Sequence, residues 1–156
     1  MSMIEYFAYG SNMNLERMKK RIGWTPPMRP AFLENYQLLF DKLSNDGGKA
    51  NIRPHAGAVV EGVLYMLEEK DLLEMDRFEG VADGHYSRDS IEVMTESEGL
   101  CRVVTYIAQK TGPEIPPTRA YLDHLLAGRD LLSPKYLENL EKIQTFDLIL
   151  SVGQSS

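Results

Sequence analysis

The chain has 156 residues, 43% of them apolar and 26% charged, with 17 Lys and Arg against 23 Asp and Glu for a net charge of −6. A chain of this length buries roughly two-thirds of its unfolded surface, so a single domain over residues 1–156 is expected. The acidic excess argues against nucleic acid or an anionic membrane as the main partner, since both are held by clustered Lys and Arg. One cysteine, Cys101, allows no internal disulfide and indicates a reducing cytoplasm. The start, Met1 to Tyr6, lacks leader character, and no stretch approaches the roughly 20 apolar residues of a membrane span.

Met3 to Tyr9 is β-prone and runs into Gly10-Ser11-Asn12, which has turn and cap chemistry. Leu15, Met18 and Ile22 then predict a helix capped by Asn12 or Asn14. Pro26, Pro27 and Pro30 break regular structure, Ala31 to Leu43 reads as a strand, and Ser44 to Gly48 as a turn. Ala58 to Leu67 reads as the next strand, where Gly62 marks a bulge or a close backbone approach. Glu68 to Glu79 has helical spacing; Tyr86 to Thr95 and Leu100 to Ala108 form a hairpin through Ser97-Glu98-Gly99. A helix from Thr118 to Leu126 follows, then another with Ser133 as cap and Pro134 in its first turn. Without a regular βαβ alternation, the pattern is that of a mixed α+β fold.

Neither phosphate-loop glycine pattern is present, nor a G-x-S-x-G elbow. His55, His85 and His124 stand at no metal-like spacing, so no metal is expected. What remains is a carboxylate in an unusual place. At roughly 100° per residue, Leu72, Met75 and Glu79 share one helix face. Glu79 then points inward at the helix C-terminus, where burial and the helix dipole both disfavour its charge and raise its pKa toward the range of a general acid/base. The alternative is a helix-end carboxylate turned out to solvent. The Tyr9 to Asn12 loop, coming off a strand into a helix, offers unpaired N–H groups to an anion or oxyanion; the alternative is a plain turn.

Those residues carry a resemblance. Tyr6-Phe7-Ala8-Tyr9-Gly10-Ser11-Asn12-Met13 resembles the signature loop of the γ-glutamylcyclotransferase family. Gly62-Val63-Leu64-Tyr65, and then Met75 to Tyr86 around Phe78-Glu79-Gly80, resemble the family's acid-bearing segment. Pro116 to Tyr121 is a weaker match, and Leu132 to Leu137 is similar to the start of the family's closing helix. The resemblance runs in order over nearly the whole chain. It implies a small mixed β-barrel flanked by helices, and release of 5-oxoproline from a γ-glutamyl amino acid or peptide by attack of the substrate's own α-amino group. It also implies Glu79 as general acid/base, Tyr9, Gly10, Ser11 and Asn12 as the loop holding the glutamyl moiety, Tyr121 as a pocket residue, and no metal or cofactor.

Two other readings stay open: a γ-glutamylamine cyclotransferase acting on γ-glutamyl-ε-lysine or similar amines, and a non-catalytic small-molecule-binding module of the same fold. Tyr65 and Tyr86 are packing or pocket residues. Arg53, Arg88 and Arg119 are each solvated or poised for a substrate carboxylate. Ser11 lacks a matching His and contributes its backbone N–H rather than a nucleophile. The apolar run Phe146 to Val152 reads as an edge strand, a helix extension or a subunit contact, which leaves a homodimer open.

Overall fold

The computed structural model describes residues 2–146. Strands β1 (Met3–Ala8), β2 (Met28–Lys42), β3 (Lys49–Glu68), β4 (Tyr86–Thr95) and β5 (Gly99–Ala108) close a barrel in the order β1-β3-β2-β4-β5. All pairings are antiparallel except the closing one, where β1 meets β5 in parallel at Tyr6 and Val104. Helices α1 (Leu15–Ile22), α2 (Glu69–Phe78), α3 (Arg119–Leu126) and α4 (Pro134–Glu141) flank it. This is the mixed barrel with helices that the resemblance implied. Among the described residues, no helix is long and apolar enough to cross a membrane.

Local chemistry explains the helix ends. Asn14, not Asn12, caps α1: its Oδ1 accepts from the N–H groups of Glu16 and Arg17. Gly23, at φ 86°, ends that helix in the left-handed conformation that glycine adopts without steric cost. Thr118 and Ser133 cap α3 and α4 by accepting from Tyr121 N–H and Tyr136 N–H. Leu72 and Met75 of α2 are fully buried against the barrel, and Leu122 and Leu125 of α3 likewise. Each such side chain contributes about 1.5–3 kcal/mol of burial free energy.

The structure corrects two strand boundaries. Strand β2 begins at Met28, so Pro30 lies inside it, opposite Val63. Its ring is tolerated because β2 meets β4 only at Phe32 and Met94, leaving Pro30 a ladder on the β3 side alone. Strand β3 starts at Lys49 rather than Ala58, and takes in Pro54 and Gly57. Pairing with β2 overrides the turn-like composition. The ladder shifts register between Glu34 and Tyr36, where Asn35 adopts φ 64° and its Oδ1 accepts from Gly57 N–H. Of the run Phe146 to Val152, only Phe146 is among the described residues; the rest of that reading lies outside them.

Gly62 is a close approach and not a bulge, since its register opposite Ala31 is regular. A Cβ there would sit 2.4 Å from the Ala8 carbonyl oxygen and 2.9 Å from the Phe7 ring. Gly62→Ala is therefore expected to cost about 1–3 kcal/mol through overpacking. At about 2–4 °C per kcal/mol for a chain of this size, thermal melting should show a drop of several degrees. An unchanged Tm would mean that β1 yields at this point without cost.

Candidate active site

Strand β1 buries Phe7 and Ala8 and releases the chain at the barrel end into Tyr9-Gly10-Ser11-Asn12. Gly10 lets the loop lie close against β3, because a Cβ there would sit a tight 3.0 Å from Ala50 Cβ, with the Tyr121 hydroxyl at 3.5 Å. Ser11–Met13 forms one turn of 3-10 helix, closed by Met13 N–H to Gly10 C=O at 3.0 Å. The first N–H groups of such a turn have no partner within it. Those of Gly10, Ser11 and Asn12 find no acceptor among the described residues.

The same loop is anchored from below by polar contacts. Buried Asn12 donates from Nδ2 to the Tyr6 hydroxyl (2.9 Å) and accepts at Oδ1 from Arg21 Nη1 (3.2 Å). Its backbone carbonyl accepts from the Tyr65 hydroxyl at 2.7 Å. Asn12 thus spends its side chain on holding Tyr6 and Arg21. Tyr65 is a support beneath the loop and does not line the cavity. Tyr9 donates its hydroxyl hydrogen to the Tyr106 carbonyl.

Helix α2 delivers Glu79 to the opposite wall. Glu79 is the residue that ends the helix, and its backbone N–H bonds back to Met75 C=O at 2.9 Å. The side chain turns inward, with 18% of its surface exposed. Its Oε2 lies 3.8 Å from Arg21 Nη1, and no hydrogen-bond donor among the described residues reaches the carboxylate. Burial raises its pKa above the ordinary glutamate value, against the opposing charges of Arg21 and Arg17.

Together these groups line a cavity of about 210 Å³. Tyr9, Gly10, Ser11, Asn12, Glu79 and Tyr121 all reach it, so the structure gathers every site residue expected from the sequence. Strand β3 holds two further walls: Ala50 N–H donates to the Tyr121 hydroxyl at 3.0 Å, and the Tyr86 hydroxyl donates to Ala50 C=O at 2.8 Å. Burial pushes the Tyr121 hydroxyl up to about 12, so it stays protonated at neutral pH.

The sequence reading missed the cationic groups. Arg17 and Arg21 line the cavity from α1, four residues apart and each one step ahead of a core-facing residue, Met18 and Ile22. That spacing on the flank of the buried face was the available signal. Arg21 is engaged by Asn12 and lies 4.7 Å over the Phe78 ring. Arg17 has a buried Nε with no hydrogen-bond partner, and among the described residues no carboxylate pairs with it. The arginines singled out from the sequence lie elsewhere: Arg53 pairs with Asp41 (2.7 Å), Arg88 with Asp76 (2.6 Å) and Arg119 with Asp123 (2.9 Å).

No Ser–His pair forms among the described residues, since His124 contacts Asn14 and His85 contacts Lys42. One group with metal-ligand atoms, Glu5, Glu98 and Cys101, lies away from the cavity. Arg29 already pairs with both carboxylates there.

Comparison with known proteins agrees with this architecture. A sequence profile for the family described as "Gamma-glutamyl cyclotransferase, AIG2-like" matches residues 6–123, a span that includes the loop, Glu79 and Tyr121. The chain is 29% identical over 157 residues to a γ-glutamylcyclotransferase of Homo sapiens, across 96% of this chain and 83% of the relative. It is 32% identical over 153 residues to that of Bos taurus, across 91% and 79%. A solved γ-glutamyl cyclotransferase structure superposes with a TM-score of 0.85 at 27% identity, over 93% of this chain and 90% of the other. The chain belongs to the γ-glutamyl cyclotransferase, AIG2-like family.

Proposed function

We propose that this protein is a cyclotransferase that releases 5-oxoproline from a small γ-glutamyl compound, with Glu79 as the proton carrier. The observation that carries this reading is a largely buried carboxylate in one cavity with loop N–H groups and a guanidinium, none of which has a hydrogen-bond partner of its own among the described residues apart from the Arg21 ion pair of the carboxylate.

Each group has a task in that reaction. The α-carboxylate of the glutamyl moiety meets Arg17, with Arg21 beside it, because a guanidinium suits planar carboxylate recognition. The γ-carbonyl oxygen faces the N–H groups of Gly10, Ser11 and Asn12, which stabilise it as it becomes an oxyanion. Glu79 takes a proton from the α-ammonium group, and the freed amine attacks the γ-carbonyl carbon. The new C–N bond closes the lactam and the old amide C–N bond breaks. From ammonium to lactam N–H the attacking nitrogen gives up two protons, and the departing nitrogen takes up two to leave as an ammonium. Glu79 is suited to relay them, since a raised pKa lets it return what it accepts. No covalent intermediate with the protein is needed. Holding the flexible glutamyl chain folded for intramolecular attack supplies several kcal/mol of the barrier reduction.

The proton-relay role makes a pH prediction. Glu79 must be ionised to accept a proton, and burial raises its pKa. Activity is therefore lost as pH falls through that raised value, and the acid limb of kcat/KM lies above the ordinary glutamate range. A rate profile from pH ~4 to ~9 checks this; a limb at the value of a solvated glutamate would remove Glu79 from the role. Mass spectrometry of purified protein incubated with γ-glutamyl-alanine and with γ-glutamyl-ε-lysine tests the function itself. Release of 5-oxoproline is expected from at least one of them, and release from neither would count against the reading.

A further inference from the structure

A second cavity, of about 390 Å³, adjoins the first, and Lys49, Phe78, Glu79 and Tyr86 line both. Among the described residues, Glu79 is the only acidic one on its wall, while Lys42, Lys49 and His85 supply basic groups. Lys49 has Asp46 at 3.1 Å. Lys42 has no such partner. It comes from the end of β2 and is only 6% exposed, yet no carboxylate pairs with it among the described residues. Buried cations are ordinarily paired.

The contacts of Lys42 define what it can still do. Its Nζ donates to Leu43 C=O at 3.0 Å and lies 3.1 Å from His85 Nδ1. An ammonium is a donor only, so with Lys42 charged His85 Nδ1 is the acceptor in this contact, the tautomer whose ring N–H is at Nε2. One Lys42 N–H, on an ammonium 5.9 Å from the centre of the Tyr86 ring, and the His85 Nε2–H are then left without hydrogen-bond acceptors among the described residues. His85 is itself fixed beside Glu79: its backbone N–H donates to Gly80 C=O at 3.0 Å, and a Cβ on Gly80 would lie 2.8 Å from its ring. Burial and the nearby charge of Lys110 both press on Lys42 to lose its proton, a cost that a bound anion would relieve. The apolar side chains of Leu43 and Phe78, each about half exposed, line the same cavity.

We propose that this cavity receives the leaving group, and that Lys42, oriented by His85, binds a carboxylate on it. The inference rests on the cyclotransferase reading. It names the substrate class as γ-glutamyl amino acids or peptides, whose departing amine carries a carboxylate, in preference to γ-glutamyl amines that lack one. The residue side chain next to that carboxylate lies along Leu43 and Phe78, and Glu79, shared by both cavities, protonates the departing nitrogen between them.

The test compares γ-glutamyl-alanine with γ-glutamyl-ethylamide, which differ only by the leaving-group carboxylate. The wild-type protein should favour the alanine compound by about ten-fold or more in kcat/KM, and Lys42→Met should lower that preference by a similar factor. Equal kcat/KM for the two compounds in the wild type overturns the proposal without recourse to any variant, as does a folded Lys42→Met protein that keeps the full preference. Binding to the Glu79→Gln protein, measured by calorimetry, separates this inference from the function it rests on. If neither compound yields 5-oxoproline the cyclotransferase reading fails. Tighter binding of the alanine compound then still supports the subsite, and equal binding overturns it.

Discussion

Replacing Glu79 with glutamine is expected to lower turnover of a γ-glutamyl substrate by about 10²- to 10⁴-fold, the usual contribution of a positioned acid/base. Glutamine keeps the shape and polarity of the side chain but cannot accept the α-ammonium proton. Substrate affinity should stay within a few-fold, because the groups proposed to hold the glutamyl moiety are Arg17 and the loop N–H groups, which line the same cavity. Stability at neutral pH should be no lower than that of the wild type. The sign follows from linkage: a carboxyl whose pKa is raised on folding destabilises the folded state when ionised, most fully above its folded pKa, and this penalty vanishes below its unfolded pKa. A neutral isostere removes the penalty. Turnover assays beside a melting curve separate the two effects, and an inactive variant that also melted early would indicate a structural role.

Arg17→Met should act on binding. Its guanidinium carries a buried Nε without a partner, and no carboxylate of the described structure neutralises it. If the substrate α-carboxylate is its partner, removing it leaves that anion unpaired in a desolvated site, at a cost of about 2–5 kcal/mol. That corresponds to a loss of roughly 30- to several-thousand-fold in kcat/KM, carried mainly by KM. Arg17→Lys should recover part of it, since a lysine supplies the charge without the planar fork. Melting should be little changed, because methionine fills the space of the stem without a charge to desolvate. An Arg17→Met protein with wild-type KM would assign the carboxylate to another group.

The parts of the site that were legible in the sequence are those encoded within one element. Leu72, Met75 and Glu79 follow a helical period, so the inward carboxylate could be read before any fold was known. The Tyr9 to Asn12 loop was legible for the same reason, as a strand running into a capped helix. Lys42, Lys49 and Ala50 could not be placed against Glu79 in this way. They share cavity walls with it only because β2 and β3 pair along a ladder that crosses Asn35 and Gly57, where the local composition signals turns. The same long-range pairing carries Pro30 and Pro54 inside strands. Arg17 and Arg21 fall between the two cases: their spacing of four is visible, but it marks a solvated helix flank equally well until Asn12 and Phe78 are seen to hold Arg21.

The central claim is that the substrate's own amino group, and not water, attacks the γ-carbonyl, with the protein serving as scaffold and proton relay. Turnover of γ-glutamyl-alanine in ¹⁸O-enriched water, followed by mass spectrometry, tests it most directly. Intramolecular attack predicts 5-oxoproline with no solvent oxygen and no free glutamate. Product carrying ¹⁸O, or glutamate released in place of 5-oxoproline, would contradict the account.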